Sequence, residues 1–363
     1  MINVNVPINS VSFGFVAANI LVELFKRKID IRLFPIGGQV DLSSYSVAAR
    51  LPGFENYLKE SIYYALEKFD RNDPTLKLWH IRDSEQSYGV RRNLLTFHEL
   101  SELTPNEVNI LRNQDTIYLT SKYSQEVFKK YNIDSIYCPL AFDSLHFNRI
   151  EKRAYKDDRI VWGLVGKLEP SRKGHAKVIQ NWIKKYGNNH KHVLHLHVNN
   201  PFLNKEQNEG LLNQIWNGQK PFNINVLPQV QTLTTLNQCY NSIDIILDGS
   251  RAEGFSLPSF HCLALGKHGV IHNATAMKDW LPKSGAVTFE SSNLIEPYDN
   301  MFFPKGVPWN QGLIWDWDDN EFLSAMETAE RKFLYNPLNE TGLQLQQEYT
   351  WQKTVDILLK NLK

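Results

Sequence analysis

The 363-residue sequence predicts an α/β protein with two domains, each built on a mostly parallel sheet. Two series of alternating strand-like and helix-like segments flank a polar, aperiodic stretch at 143–158, which we interpret as a linker. At about 150 residues per domain, a chain of this length suggests two. We therefore place the first domain at 1–150 and the second at 151–344.

The first series opens with Ile2–Ile8, where apolar and polar residues alternate as they do in a strand. Thr104 is a good N-cap, Pro105 suits a first helical position, and Glu107 completes a capping box. The other predicted strands are Ile29–Phe34, Leu76–Ile81, Asn93–Phe97, Thr116–Thr120 and Ser135–Pro139. The predicted helices are Phe15–Arg27, Leu51–Phe69, Pro105–Leu111 and Ser124–Tyr131.

The second series repeats this rhythm without sequence repetition. Its predicted strands are Arg159–Val165, Val193–Val198, Asn225–Leu227, Ile243–Leu247, Gly269–His272 and Ala286–Phe289, the last of which we expect to be the final strand. Its predicted helices are His175–Tyr186, Leu233–Tyr240, Ser259–Leu265, Glu321–Tyr335 and the terminal Thr350–Leu362. Asp319 or Asn320 is expected to cap the helix at Glu321.

Composition excludes several classes of protein. A net charge of +1 gives no global field for nucleic acid, so any phosphate binding must be local. Three cysteines without a C-x-x-C pattern argue against a disulfide framework or a zinc site and favour a reducing compartment. The residues Met1–Asn9 do not resemble a signal peptide, and no run of about 18 apolar residues predicts a membrane span. We expect a cytoplasmic protein.

The segment Ser250–Gly266 follows the apolar run Ile243–Leu247 and carries the strongest functional signal. Gly254 allows a tight turn, and Pro258 suits the first turn of the helix that follows. Backbone N–H groups and a helix N-terminus then converge on one point, as in diphosphate sites. Glu253 beside that point suits neutral sugar hydroxyls; alternatively, it merely caps the helix.

A second loop at the same expected edge of the sheet carries Lys167 and Lys173 between Gly166 and Gly174. Two ammonium groups and a helix N-terminus would compensate the charge of a leaving diphosphate without a metal ion. The alternative is that both lysines, together with Arg172, form a solvated basic loop.

Other candidates are weaker. His98 lies just beyond a strand, where functional side chains collect, although a structural histidine is equally compatible. His195 and His197 share one face of a strand and could bind a metal, but no third ligand is spaced nearby, which favours core histidines. Asp316 and Asp318 form a D-x-D triplet that directly precedes a helix, which favours use in a turn and a cap.

These pieces together resemble a known family. The turn Gly166-Lys167-Leu168 through Lys173-Gly174 and the loop Glu253-Gly-Phe-Ser-Leu-Pro258 resemble the retaining, family-4-type glycosyltransferases of the GT-B fold. Ser12–Gly14 and Leu95–His98 add thinner matches. The resemblance implies two Rossmann-like α/β/α domains facing a central cleft, with a C-terminal helix at about 345–363 that crosses back to the first domain.

The resemblance also implies roles for individual residues. Lys167 and Lys173 would grip the donor diphosphate, Glu253 would hold a hydroxyl of the transferred sugar, and His98 would lie near the donor sugar and the acceptor. Backbone groups near the donor would come from Gly14, Gly166, Gly254, Phe255, Ser256 and Leu257.

Two positions depart from the family pattern. Lys167 stands where arginine is usual, which keeps the charge but loses the planar fork. The second glutamate of the family's E-x7-E pair, which usually binds the ribose, falls on His261. We assign His261 to donor binding, although a neutral imidazole accepts one hydrogen bond at most.

The implied function is transfer of a hexose, by family frequency glucose, from a nucleotide-diphosphate sugar such as UDP-glucose. Neither a metal nor a cofactor is expected, and the acceptor could be a sugar, a lipid or a protein. The leaving diphosphate would help take the acceptor proton on the same face. Two alternatives stay open: a degenerate nucleotide-sugar-binding protein, suggested by His261, and a nucleotide-sugar epimerase of the same fold.

Overall fold

The computed structural model describes residues 1–151, 157–169, 171–216, 219–299 and 301–362. It contains two six-stranded sheets and one two-stranded sheet. Residues 152–156 of the predicted linker lie outside the described residues, as does Pro170 of the lysine loop. The domain boundary near residue 150 therefore stays a prediction.

The first sheet is parallel throughout and has the strand order β2-β1-β3-β4-β5-β6. Its strands are β1 (Ile2–Ile8), β2 (Ile31–Val40), β3 (Pro74–Leu78), β4 (Arg91–Thr96), β5 (Thr116–Leu119) and β6 (Ile136–Tyr137). The helices around it are α1 (Ser12–Lys26), α2 (Ser46–Ala49), α3 (Phe54–Glu67), α4 (Pro105–Leu111) and α5 (Lys122–Lys129). The capping box predicted at Thr104 and Glu107 is present.

The second sheet is also parallel, with the strand order β12-β11-β10-β7-β8-β9. Its strands are β7 (Ile160–Gly166), β8 (His192–Val198), β9 (Ile224–Val226), β10 (Ile245–Asp248), β11 (His268–His272) and β12 (Val287–Phe289). Its helices are α6 (His175–Tyr186), α7 (Lys205–Trp216), α8 (Leu233–Ser242) and α9 (Leu257–Ala264). Helix α7 was not among the predicted helices. Because β7 and β10 are neighbours, the loops that follow them lie side by side.

Two more strands follow β12 along the chain, so the prediction that Ala286–Phe289 is the final strand is wrong. Two further strands, β13 (Ser291–Ile295) and β14 (Ile314–Trp317), pair antiparallel, and 296–313 connects them. That connection reaches the first half, where the Ser101 amide donates to the Leu313 carbonyl at 3.0 Å. Such short strands gain their order from this tertiary contact rather than from periodicity.

Helix α10 (Asp319–Tyr335) follows directly. Asp318 is its N-cap and accepts hydrogen bonds from the amides of Asn320 and Glu321 at 2.8 and 3.2 Å. The predicted caps Asp319 and Asn320 are therefore wrong by one or two residues. The helix starts earlier than expected, because Asp318 already has the extended backbone that an N-cap requires.

The C-terminal segment crosses back to the first half, as predicted. Short helices α11 (Glu340–Leu343) and α12 (Leu345–Glu348) lead to α13 (Trp351–Asn361), which Thr350 caps. The hydroxyl of Tyr118 donates to the Leu358 carbonyl at 3.1 Å, and Arg27 pairs with Asp356 at 2.6 Å. Among the described residues, no helix has the length and apolar character needed to cross a bilayer.

Candidate active site

The site forms where the loops after β7 and β10 meet. Asp248, the last residue of β10, organises the second loop: its carboxylate accepts hydrogen bonds from the hydroxyls of Ser256 and Ser259, both at 2.6 Å. Burial alone would raise the pKa of Asp248, but Lys173 and these hydroxyls outweigh burial and hold the pKa below its usual value. The carboxylate is thus a fixed anion at the start of helix α9.

Ser256 adopts the left-handed conformation, with φ 64° and ψ 64°, which glycine accepts more readily than other residues. The bond from its hydroxyl to Asp248 offsets the conformational cost. Helix α9 begins at Leu257 with Pro258 in its first turn, as predicted. Glu253 lies before this helix and does not cap it, so the capping alternative is wrong.

The loop from Glu253 is fastened to both halves of the molecule. The Glu253 amide donates to the hydroxyl of Thr275 at 2.9 Å, and the hydroxyl of Thr120 donates to the Gly254 carbonyl at 2.7 Å. A Cβ at residue 254 would lie 2.8 Å from the Cβ of Phe97, so only glycine permits this approach.

The lysine loop after β7 packs directly on the end of β10. Gly174 has φ 62° and precedes α6; a Cβ there would lie 2.4 Å from the Gly249 carbonyl oxygen. The Arg251 amide also donates to the Arg172 carbonyl at 2.8 Å. These contacts bring the two loops together, as expected from the adjacent strands.

The charged side chains of these loops form one network. Lys173 pairs with Glu253, and the guanidinium of Arg172 lies 3.5 Å from the other carboxylate oxygen of Glu253. Arg172 also donates to Glu169 at 3.0 and 3.1 Å. Lys167 pairs with Glu169 at 2.6 Å. The structure therefore links Lys167, Lys173 and Glu253 through Arg172 and Glu169, to which the sequence alone assigns no functional role.

The first half contributes Glu99, which pairs with Arg172 at 3.2 Å across the two halves. Three cations, Lys167, Arg172 and Lys173, therefore face three carboxylates, Glu99, Glu169 and Glu253. Arg172 is buried at 6% exposure, so the alternative of a solvated basic loop is wrong for this residue. Its signal in the sequence was only its position between the two lysines.

The electrostatics of the network follow from burial and pairing. Burial would raise the pKa of Glu169, but Arg172, Lys167 and Lys173 overcome burial and lower the pKa to about 2. Burial lowers the pKa of Lys167, partly offset by Glu169. The ammonium of Lys167 also lies 3.6 Å from the ring centroid of Phe302, a cation–π contact.

Gly14 and His98 are the two predicted site residues of the first half. Gly14 is part of α1, where a Cβ would lie 2.0 Å from the Asn9 carbonyl oxygen, so a close backbone approach requires glycine. His98 follows β4 and precedes Glu99, but its own ring is buried, and burial lowers its pKa to about 4. Its Nε2 has no hydrogen-bond partner within the described part of the chain.

His261 lies in a different environment. Its Nδ1–H donates to the Leu257 carbonyl at 2.7 Å, and its Nε2 accepts from the Asp143 amide at 3.3 Å. Burial lowers its pKa to about 4. Phe147 packs on its ring at a centroid distance of 4.5 Å. Both nitrogens of this neutral imidazole are therefore engaged by the protein, and donor binding by His261 stays a prediction.

Asp143 belongs to the stretch interpreted as a polar linker, yet it is 1% exposed. Its carboxylate accepts from His146 Nδ1 at 2.7 Å and from the side-chain amide of Asn19 at 3.3 Å. The beginning of the predicted linker is thus an ordered connection between the halves, because its polar groups are satisfied internally.

The remaining candidates are the two aspartates of the D-x-D triplet and the two histidines of β8. Asp316 lies in β14 and pairs with Arg251 at 2.9 Å and Lys177 at 3.2 Å, whereas Asp318 has the predicted capping role. His195 and His197 lie on β8 with ring centroids 6.3 Å apart. Within the described ranges, no three or more histidine, cysteine or acidic residues group as metal ligands would.

Comparison with known proteins defines the class of fold. The chain is similar to an apo structure of OtsA, with a TM-score of 0.66 and 13% identity over 100% of this chain and 98% of that one. It is also similar to sucrose-phosphate synthase from Thermosynechococcus elongatus, with a TM-score of 0.64, 12% identity, and coverage of 99% and 97%. The Anabaena protein Alr3699/HepE, solved with UDP-glucose, gives a TM-score of 0.56, 13% identity, and 99% coverage of both chains.

These neighbours are GT-B glycosyltransferases, and the two parallel sheets with their flanking helices have the GT-B fold. No family model matches the sequence. No curated protein sequence matches it either. Because the identity to the solved structures is so low, the similarity establishes the fold alone.

Proposed function

We propose that the protein is a retaining glycosyltransferase of the family-4 type. It moves a hexose from a nucleotide-diphosphate sugar to a hydroxyl of an acceptor, without a metal ion or another cofactor. The observation that carries this proposal is the contact of Lys173 with Glu253 where two strand-end loops meet, opposite Glu99 of the other half. HepE, which shares the fold, was solved with UDP-glucose, so UDP-sugars are the first donors to test.

Binding of the donor begins with an exchange of partners. In the absence of a donor, the ammonium groups of Lys167 and Lys173 pair with carboxylates of the protein. The diphosphate, which is also an anion, takes the place of these carboxylates. Glu253, released from Lys173, then accepts a hydrogen bond from a hydroxyl of the sugar. Arg172 stays with Glu253 and Glu169 and keeps the carboxylate oriented.

The chemical step follows from this placement. The acceptor oxygen forms a bond to the anomeric carbon while the bond from that carbon to the diphosphate oxygen breaks. The acceptor proton passes to the leaving diphosphate on the same face, which retains the configuration. Lys167, Lys173 and the N-terminus of α9 stabilise the developing negative charge, and the positioned acceptor supplies the rest of the rate.

The remaining predicted residues take supporting roles in the proposal. Backbone groups of Gly254, Phe255, Ser256 and Leu257 contact the sugar and phosphates at the start of α9, with Gly14 and Gly166 close to the diphosphate. In this proposal His98, next to Glu99 in the sequence, lies near the donor sugar and the acceptor. We place the protein in the cytoplasm, consistent with three free cysteines.

The test is a panel of UDP-, GDP- and ADP-sugars, with binding measured by calorimetry and turnover by release of the nucleoside diphosphate. We expect one nucleotide class to bind and turn over slowly even without acceptor, and EDTA to leave the rate unchanged. Absence of binding and turnover across the panel would contradict the proposal. Binding without turnover on any acceptor would favour the binding protein, and an epimerised donor would favour the epimerase.

A further inference from the structure

A cavity of about 580 Å³ lies apart from the charge network, where the two halves meet again. The loop after β3 forms one wall with Arg82 and Asp83, and helix α4 forms the floor. Trp309, from the connection between β13 and β14, closes the third side. The cavity is therefore complete only when the second half contributes its indole.

The floor has a distinctive chemistry. Asn106, Asn109 and Asn113 are spaced three and four residues apart, which places them on one face of α4 and its C-terminal end. Each carboxamide offers donors and an acceptor, the combination that suits hydroxyls with both roles. Trp309 adds a flat apolar surface with an N–H at its edge. Amides beside an indole suit a polyhydroxylated ring that has polar rims and apolar faces.

The charges in the cavity disfavour an anionic ligand. Arg82 pairs with Asp83 at 3.1 Å, and its guanidinium lies 4.5 Å from the ring centroid of Trp309. Glu85 adds a further carboxylate to the lining, so the three charged residues sum to −1. A phosphate or a nucleic-acid backbone would meet net negative charge there.

The walls of the cavity are held in place by buried polar contacts. Lys77, 7% exposed, donates to the carbonyls of Asp83 and Gln86 at 2.7 and 2.6 Å, which fixes the loop that carries Arg82. On the other side, the side chain of Gln311 donates to the Trp309 carbonyl at 2.9 Å and accepts from the Gly306 amide at 2.9 Å. The two segments that carry Arg82 and Trp309 are thus held in place by internal hydrogen bonds.

The cavity is joined to the charge network by a short run of chain. Glu99, which pairs with Arg172, is followed by Ser101 and Thr104, whose side chains bond to Leu313 and Pro308 of the connection at 2.9 and 2.8 Å. The helix that carries the three asparagines begins one residue after Thr104. The segment that leads from Glu99 to the cavity is therefore fixed to the second half at two points.

We infer that this cavity is the acceptor subsite and that the acceptor is a neutral oligosaccharide. A sugar ring packs on Trp309 while its hydroxyls bond to the asparagines of α4. The inference rests on the proposed function, because it names the acceptor class for that reaction. It also gives a role to Trp309, which comes from the second half and contacts Arg82 of the first half.

The test uses the full chain and a panel of neutral di- and trisaccharides, with the corresponding sugar phosphates as the charged arm. Binding is measured by saturation-transfer NMR and, with the donor present, by transfer kinetics. The variants are Trp309→Ala, Trp309→Phe and Asn109→Ala. The matched control is Asn213→Ala, which removes an exposed asparagine from α7.

We expect a neutral oligosaccharide to bind and the sugar phosphates to bind less. Trp309→Ala should raise the acceptor KM by about tenfold or more, because a stacking surface and its fixed orientation are both lost. Asn109→Ala should raise it by about fivefold, the loss of one or two hydrogen bonds. Trp309→Phe should keep most of the affinity, and Asn213→Ala should change nothing.

Two results would overturn the inference: no neutral oligosaccharide binds, or one binds with equal affinity to Trp309→Ala and the wild type. Donor binding and donor hydrolysis are measured on the same variants and should not change. If these donor signals are present while the oligosaccharides fail, the subsite is wrong and the proposed function stands. If oligosaccharides bind through Trp309 and no nucleotide sugar does, the proposed function is wrong, and the cavity is a saccharide-binding site without the acceptor role inferred here.

Discussion

Glu253 and His261 are eight residues apart, on the two positions where the resemblance noted in the sequence expects a pair of glutamates, yet they lie in opposite kinds of environment. Glu253 belongs to a network of paired charges, with Lys173 and Arg172 on its two carboxylate oxygens. His261 is neutral, 1% exposed and closed in among aromatic rings, with Phe147 4.5 Å away. The segment before helix α9 is thus surrounded by paired charges. The middle of the helix, at His261, is surrounded by buried apolar contacts.

The difference suggests how the motif is divided. The charges around Glu253 are held by their mutual attraction, so a diphosphate competes with the carboxylates for the ammonium groups of Lys167 and Lys173. A buried imidazole that bridges Leu257 and Asp143 instead joins α9 to the start of the connection between the halves. The role of Glu253 in the reaction belongs to the proposed function, and donor binding by His261 stays a prediction beside this structural contact.

The largest effect is expected from Arg172→Met. This substitution removes the only side chain that contacts Glu99, Glu169 and Glu253 together among the described residues. Removing one member of a buried ionic network typically costs about 3–5 kcal/mol, so the free energy of unfolding in urea should fall by that amount. Arg251→Met, which breaks a more exposed pair with Asp316, is the control and should cost about 1–2 kcal/mol. Equal losses would show that Arg172 does not organise the network.

Lys173→Ala tests the charged side of the comparison through activity. Loss of a preorganised cation at the leaving group should lower kcat/KM by about 10²–10³-fold, measured by transfer or by donor hydrolysis. The free energy of unfolding should fall less than in Arg172→Met, because Glu253 keeps Arg172 as a partner. Lys173→Arg keeps the charge, so its kcat/KM should lie between that of the wild type and that of Lys173→Ala. Normal turnover in Lys173→Ala would remove the basis for the proposed mechanism.

His261→Gln tests the neutral side through pH. Burial lowers the pKa of His261 from 6.5 to about 4, so the unfolded chain takes up the proton first on acidification. The stability that the neutral ring provides is therefore complete above pH 6.5 and is lost as the pH falls towards 4. From pH 7 to 4 the wild type should lose up to about 3 kcal/mol more than His261→Gln in urea unfolding. At pH 8 only a packing difference should remain. Parallel pH profiles would mean that the ring is charged or accessible in the folded protein.

The smallest effect is expected from Thr120→Val, which removes the hydroxyl bonded to the Gly254 carbonyl across the two halves. A single neutral hydrogen bond contributes about 1 kcal/mol to the free energy of unfolding. The donor KM should also rise slightly, because this bond positions the loop of Glu253. Thr328→Val, which removes an exposed hydroxyl bonded within α10, is the control and should leave both quantities unchanged.

The sequence predicted the fold well where local signals are strong. Strand Ile2–Ile8 and helix His175–Tyr186 have the predicted bounds, because alternation and helical periodicity are read from neighbouring residues. It failed at Lys205–Trp216, where the helical apolar pattern is weak, and at Ser291–Ile295, whose order depends on a partner strand 19 or more residues away. The predicted roles of the site residues stay predictions.

The sequence by itself determined which charged residues the two strand-end loops carry. It also placed these loops at one edge of the sheet, because parallel strands have their carboxyl ends on the same side. Only the tertiary structure decided how those charges combine. Arg172 became central because it pairs with Glu99, 73 residues away, and with Glu253 of the other loop, while Glu169 joins it through a contact three residues apart. His261 is buried because aromatic rings from several segments of the chain surround it. Pairing and burial depend on distance in space, which no local pattern records.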